Sequence, residues 1–405
     1  MGGRTVRHTA ARASDANLLT RTRSRAFANA APPVNEETGE PEAVEPPNEY
    51  KAEDMLANTA LLDAVGAALP PAEAYAVMLA AKTLGEDPAR KLDSVRFFGK
   101  ILGTSSNYYV YEATLKEKPS EAATTAEGAV PAELNVGTNF YKYLVASAPG
   151  APATELPDVT PEMIVVSRKL KRYLTGDLGA EVSAYPRFPG HEAEYLRAAI
   201  ARIAADTVLA PAGYYTLSEE NGNLAPSEDY APPDAGKLAS AAGWVHRYPT
   251  VLPQGRCEFW APEPVEPAEG EEAPAPVEPE VGPPLLYSAA EDKAEPAAEG
   301  EEGAGLWVGV SSSSLASVPF KVAGVRSMKW PGAYAVGRGA DFTNVYIGDG
   351  VETKKYVPPP PPAMESEFEG ELTESTELPP APEVEDEAEA EEEGEGDAEE
   401  APAEE

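Results

Sequence analysis

The sequence is poor in the residues that most chemistry needs. Its 405 residues include one cysteine, Cys257, and three histidines. One cysteine excludes a disulfide framework within the chain, and so low a count suits a reducing compartment. No Asn-x-Ser/Thr sequon occurs, in keeping with a non-secreted chain. Cations are scarce too: 32 Lys and Arg face 69 Asp and Glu, a formal charge of −37. A general nucleic-acid binder needs a net basic face, so that class is excluded. Long apolar runs are missing as well. The most apolar window, Leu61 to Ala81, is broken by Asp63, Pro70, Pro71 and Glu73, so no membrane-spanning helix is predicted.

Catalytic and cofactor motifs are equally thin. His191 opens the run His-Glu-Ala-Glu-Tyr, and a zinc-protease helix would need a second His where Tyr195 stands. His191 is therefore read as a helix-start residue and His246 as a structural histidine. No Cys/His cluster exists, so neither a metal site nor a cofactor is expected. Gly337-Arg338-Gly339 begins like a dinucleotide loop but runs into Phe342, and a hairpin turn is the expected structure there. No phosphate loop and no nucleophile elbow occur, and Ser311–Ser314 reads as a flexible serine run. Cys257 follows a Pro-Gln-Gly-Arg turn and is expected to be a buried thiol.

Proline, glycine and acid are abundant, and the acid is unevenly spread. Residues 1–30 carry +5, residues 31–54 carry −7, residues 262–304 carry −12 and residues 363–405 carry −20, which leaves only −3 on the other 265 residues. The expected organisation is a disordered basic, then acidic and Pro-rich leader (1–54), a helical hairpin (55–90) and an α+β core (91–261). An acidic Pro-rich linker (262–304), a β-rich completion of the core (305–357) and a polyproline and acidic disordered tail (358–405) follow. Residues 1–30 have the composition of an organelle transit peptide, but a plain basic leader or a misplaced start is the preferred reading, since composition alone is weak evidence for an address.

Periodicity supplies the fold class, α+β, with short helices packed on β-hairpins and small antiparallel sheets. The hairpin's first helix carries a stripe of Leu61, Leu62, Val65, Ala68 and Leu69; the second places Tyr75, Met78, Leu79 and Lys82 on one face, and the pair must pack on the body or on another chain. Residues 94–102 and 107–115 read as a β-hairpin with Tyr109, Tyr111, Ala113 and Leu115 on one face, followed by a strand at 140–146. Thr160-Pro161-Glu162 starts a helix predicted to run to Gly176, with Met163, Val166, Leu170, Tyr173 and Leu174 as its stripe. A second helix follows Pro189-Gly190, with Glu192 and Glu194 in its first turn and Leu196, Ile200 and Ile203 facing the core. Residues 244–260 and four runs within 305–357 read as short strands.

Two segments stand out as interaction candidates. Arg168, Lys169, Lys171 and Arg172 form a basic run, either dipole-complementing or a docking face for an acidic partner. Val281–Tyr287, with Pro283, Pro284, Leu285 and Leu286, is an apolar island in the acidic linker. It is either a docking point or the return of the chain to the core.

RFFGKILG (96–103), VTPEMIVVSRKLKRYLTGDL (159–178), YPRFPGHEAEYLRAAIARI (185–203), LPQGRC (252–257), VGPPLL (281–286), WPGAYAV (330–336) and FTNVYIGDG (342–350) occur in this order. Over about residues 55–357 the chain resembles the radial spoke head protein 4/6 family of motile-cilium axonemes. Phe98 stands where family members often carry Trp, and residues up to Glu53 show no recognised counterpart. The resemblance implies a non-enzymatic scaffold in the cytoskeleton, in the spoke head of the ciliary or flagellar axoneme. It would relay mechanical contact from the central pair to the dynein arms. The implied partners are a paralogous head protein, in a pseudo-symmetric heterodimer or a homodimer, the smaller head proteins and, transiently, central-pair projections. Neither nucleic acid nor membrane is implied. Trp330 and Tyr334 of WPGAYAV join the candidate contact residues. The competing readings are an enzyme or carrier using His246, Arg256 and Cys257, and an interaction module unrelated to cilia.

Overall fold

In the computed structural model, which describes residues 47–117, 132–218, 224–259, 282–294, 303–313 and 321–353, the hairpin expected at 94–115 sits at the centre. The leader up to residue 46, the Ala-rich loop 118–131, most of the acidic linker and the tail from 354 lie outside the described residues.

The elements run β1 (Lys51–Ala52), α1 (Met55–Asp63), α2 (Pro71–Glu86), β2 (Leu92–Ile101), β3 (Tyr108–Leu115), β4 (Lys142–Ala146), β5 (Thr154–Glu155), α3 (Pro161–Lys169), α4 (Glu192–Thr207), β6 (Leu209–Pro211), β7 (Tyr215–Leu217), β8 (Leu224–Pro226), α5 (Ala235–Leu238), β9 (Trp244–His246), β10 (Trp307–Ser311), β11 (Ala323–Ser327), β12 (Ala333–Arg338) and β13 (Asp341–Gly348). The architecture is α+β. The hairpins link into one nine-stranded sheet in the order β10-β11-β12-β13-β2-β3-β4-β5, with β1 also on β2. Every pairing in it is antiparallel except β13 and β1 on β2, which are parallel. β13 takes the last residues of β2 and β1 takes Ser94 and Val95, so both run along the edge of β2 that faces away from β3. β6–β9 and β7–β8 form separate two-stranded pairs.

Side chains alternate across the sheet, and both faces are covered. Tyr108, Val110, Tyr143 and Val145 point to one face and pack against Leu196, Ile200 and Ile203 of α4. Tyr109, Tyr111, Ala113 and Leu144 point to the other and meet Leu61 and Leu62 of α1 and Val77, Ala81 and Leu84 of α2. Two-sided cover explains why β3 buries six consecutive residues instead of alternating between core and solvent. The turn of register between Phe97 and Gly99 matches a close approach. A Cβ on Gly99 would lie 2.0 Å from the Tyr346 carbonyl oxygen, so only glycine lets β13 join β2 there.

Four expectations change. The face of α2 that meets the body is not the stripe of Tyr75, Leu79 and Lys82, which are exposed, but Ala74, Val77, Ala81, Leu84 and Gly85. Small side chains let the helix sit close to the sheet, and the Tyr50 ring occupies the space a Cβ on Gly85 would need. α3 stops at Lys169, because Leu170 is extended and the next residues pair with the β2–β3 turn: Thr104 N–H donates to Leu174 O (2.8 Å) and Ser105 N–H to Thr175 O (2.9 Å). Tertiary pairing here overrides the helical stripe. The ordered body also begins before residue 55: Asn48 Nδ2 donates to the carbonyls of Gly85 (2.9 Å) and Leu92 (2.7 Å), and β1 follows. Of 244–260, only β9 is a strand among the described residues.

Candidate interaction surfaces

The residues around α4 explain how the long motifs hold together. The His191 N–H donates to Glu194 Oε2 (2.9 Å), closing the first turn. Glu192 is buried. Its Oε1 accepts from Thr175 N–H and Gly176 N–H (both 2.8 Å) and from the Tyr108 hydroxyl (2.7 Å), while Oε2 takes Thr175 Oγ1–H (2.7 Å). One carboxylate thus ties α4, β3 and the segment after α3 together. The sequence suggested only a dipole-complementing acid there.

Deeper in the sheet, Arg96 makes a two-pronged pair with Glu112 (Nε–Oε1 2.7 Å, Nη2–Oε2 3.0 Å), and the Tyr143 hydroxyl donates to Glu112 Oε2 (3.2 Å). Burial alone would raise the Glu112 pKa, but the Arg96 charge outweighs it and holds the carboxyl below its usual range. Arg197 lies over the Tyr143 ring, 4.7 Å from its centre, and donates to Thr138 O (2.6 Å); burial lowers its pKa. Neither arginine's role was signalled by spacing.

Of the expected contact residues, Trp330 is not at the surface. It is 0 % exposed, its Nε1–H donates to Asp206 Oδ2 (2.7 Å), and the Arg202 guanidinium lies 5.1 Å from the ring centre. An indole with a buried partner for its N–H is better placed in the core than in water. Beside it, Lys329 pairs with Asp206 (2.9 Å), and Arg202 pairs with Glu352 and donates to Ser167 O (3.2 Å). For Asp206, burial is again outweighed, here by Lys329, and the carboxyl stays below its usual range. Gly332 of the same motif has φ +98°, and a Cβ there would lie 1.9 Å from Ile347 O, which accounts for the glycine of WPGAYA. Tyr334 is half-buried, lying across from Arg326 and Val345 in β11 and β13.

The basic run divides. Arg168 turns inward, donating to the carbonyls of Val251 (2.8 Å), Leu252 (2.7 Å) and Pro253 (3.0 Å). Lys169 and Lys171 are exposed, and Arg172 is half-exposed, donating to Ser183 O (3.0 Å). The apolar island pairs with β9: Leu286 N–H donates to His246 O (3.1 Å) and His246 N–H to Tyr287 O (3.0 Å). Pro283 and Pro284 are exposed, and Leu285 and Leu286 are half-buried. Val281 lies outside the described residues.

The three residues of the enzyme reading have different partners. His246 is buried, with Nε2 2.8 Å from Asp292 Oδ2 and Nδ1 3.3 Å from Ala205 O, and its ring stacks on Tyr287. Cys257 N–H donates to Glu133 Oε1 (2.7 Å), and burial pushes the thiol pKa up, away from a nucleophilic thiolate. Arg256 accepts the Leu252 N–H at its backbone carbonyl (2.9 Å). Among the described residues, no three His, Cys, Asp or Glu side chains gather as a metal-holding group, and no helix is long and apolar enough to cross a membrane.

These features define an α+β body tied together by buried ion pairs and carrying charged and aromatic surface segments. The model of the radial spokehead-like protein family matches residues 4–129 and 118–388. The chain belongs to that family. The match also reaches back into the leader, beyond the 55–357 span in which the resemblance was expected. Flagellar radial spoke protein 4 of Chlamydomonas reinhardtii is 43% identical over 362 residues, covering 85% of this chain and 77% of that protein. Radial spoke head protein 6 homolog A of Mus musculus is 35% identical over 403 residues (84% and 55%), and radial spoke head protein 4 homolog A of Homo sapiens is 32% identical over 397 residues (80% and 53%). The chain thus spans about half the length of these two mammalian relatives.

Proposed function

We propose that the chain is a structural subunit of the radial spoke head in the axoneme of cilia and flagella, acting by assembly rather than by catalysis. The observation that carries this is family membership across most of the chain, with relatives named as radial spoke proteins 4 and 6. The fold supports it: one sheet joins segments from residue 51 to residue 348, which suits a body that transmits load between docking surfaces. In this reading the chain pairs with a sister head protein, holds the smaller head proteins and relays transient contact with the central pair to dynein control. The tail, with twenty acids and no Lys or Arg over 363–405, repels like-charged surfaces at short range and limits sticking.

The test is fractionation of the tagged protein from its ciliated source. After detergent removes the membrane, the chain should stay with the axoneme through a moderate salt wash and leave with other spoke proteins only in chaotropic salt. Recovery in the detergent-soluble fraction refutes the assignment. For the tail, replacing its acids with Gln or Ser should raise non-specific microtubule binding in low salt, and unchanged binding refutes that role.

A further inference from the structure

We propose that the outer edge of β10 is the surface on which two copies of this chain pair, strand to strand. The proposal rests on the pairing of head proteins given above and names its surface.

The two ends of the nine-stranded sheet differ. At one end β5 pairs with β4 over only Thr154 and Glu155, carries a carboxylate and lies between Pro152 and Pro157. Short length, charge and proline all blunt a sheet edge against further pairing. At the other end β10 pairs with β11 along Trp307–Ser311 and has neither charge nor proline. Residues 303–320 contain no Asp, Glu, Lys or Arg, although 25% of the chain is charged.

The register shows which groups reach the edge. Met328 N–H donates to Leu306 O and Ser312 N–H to Val322 O (both 2.8 Å). Even-numbered residues of β10 therefore bond to β11, and the N–H and C=O groups of Trp307, Gly309 and Ser311 point away from it. Among the described residues none of these groups has a hydrogen-bond partner. Gly309 and Ser311 are exposed. The strand itself is held at both ends and in the middle. Trp307 Nε1–H donates to Asp292 Oδ2 (2.7 Å), Val310 packs with Val322 and Val336, and Val322 N–H donates to Ser312 Oγ (3.1 Å). A fixed strand with a row of open main-chain groups accepts another strand.

The occupant that matches this edge is a second β10. Antiparallel pairing about a two-fold axis at Gly309 sets that glycine against Gly309 of the second copy, Trp307 against its Ser311 and Val308 against its Val310. The outward residues of the two strands then close about six main-chain bonds. Two chains of net charge −37 repel one another, so their contact needs a stretch without charge. In this register no like charges meet across the strands.

The test is sedimentation of the purified full-length chain over a concentration series. A reversible dimer is expected, and it should tighten as ionic strength rises to about 0.5 M, because salt screens the repulsion. Ser311→Pro removes an outward N–H and leaves the bonds to β11 in place. It should weaken the dimer about tenfold or more. Ser311→Glu adds a carboxylate without altering the backbone and should weaken it several-fold in low salt and less in high salt. Unchanged melting of the dilute variants shows that the fold is intact. Hydrogen exchange locates the contact. The amides of Trp307, Gly309 and Ser311 should slow as concentration rises, while those of Val308 and Val310 should change little. The proposal is overturned if the chain stays monomeric, or if a dimer forms that neither variant weakens. It is also overturned if the three outward amides are already slow in the dilute chain, since a segment of the same chain would then cover the edge. Self-association and axonemal retention are measured separately, so this pairing can fail while the spoke-head assignment stands.

Discussion

Arg96, Arg197 and Arg202 lie inside the fold; Lys169, Lys171, Arg172 and Arg187 lie on it. Each interior guanidinium is matched to a carboxylate, a carbonyl or an aromatic face, as Arg96 is to Glu112 and Arg202 is to Glu352 and the Trp330 ring. The surface cations are ion-paired to no carboxylate among the described residues. Placement, not residue type, separates a cation that holds the body together from one that faces solvent. Arg168 and Lys169 are adjacent in sequence and fall on opposite sides of that divide.

The largest effect is expected where an interior pair is cut. Arg96→Ala strands Glu112, which is 2 % exposed, and should cost about 3–5 kcal/mol in urea unfolding. Replacing both partners with apolar residues of similar volume should recover most of that loss. If the double variant is as unstable as the single one, the cost is packing and not an uncompensated charge.

Acid probes the same interior without mutation. Glu112 and Asp206 both have folded-state pKa values below the ordinary carboxylate range. Their contribution is complete above that range and is lost as pH falls through it toward the lowered values. Glu53 works the other way, since burial raises its pKa. Glu73 adds a third depressed carboxyl, since its bonds to Lys100 and Tyr109 outweigh its burial. With three depressed groups against one raised, the melting temperature should fall below pH of about 4, and Glu112→Gln should flatten that slope. An unaltered slope in the variant would remove Glu112 from the account.

How far these roles could be read beforehand depended on whether local chemistry or tertiary pairing decided them. The β2–β3 hairpin and α4 were legible because alternation, caps and first-turn acids are local signals, and the partition of Tyr109 and Tyr111 from their neighbours followed from strand period alone. The buried face of α2 was not. Large apolar residues at 75, 78 and 79 made a stronger stripe than the small ones at 74, 77 and 81 that fit against the sheet. The helix predicted to Gly176 was lost to pairing with a turn some 70 residues away, as in the bond from Ser106 Oγ to Gly176 O. Trp330 was legible as part of a motif but not as core, because its buried partner Asp206 lies 124 residues distant.

A smaller effect is expected at the inward half of the basic run. Arg168→Lys keeps the charge but cannot span three carbonyls, so it should cost about 1–2 kcal/mol and loosen residues 251–253 in hydrogen exchange. A neutral result would make the run functionally uniform after all.

The smallest effect on stability, and the sharpest on the comparison, belongs to Lys169→Ala with Lys171→Ala. Among the described residues neither ammonium has a partner to lose, and truncation leaves Leu170 and Leu174 in place, so unfolding should change by no more than about 0.5 kcal/mol. A clear destabilisation would show that these lysines hold the body as Arg168 does. A stability-neutral variant that leaves the axoneme at lower salt would separate the two roles within five consecutive residues, since only an interaction outside the folded chain would then have been removed.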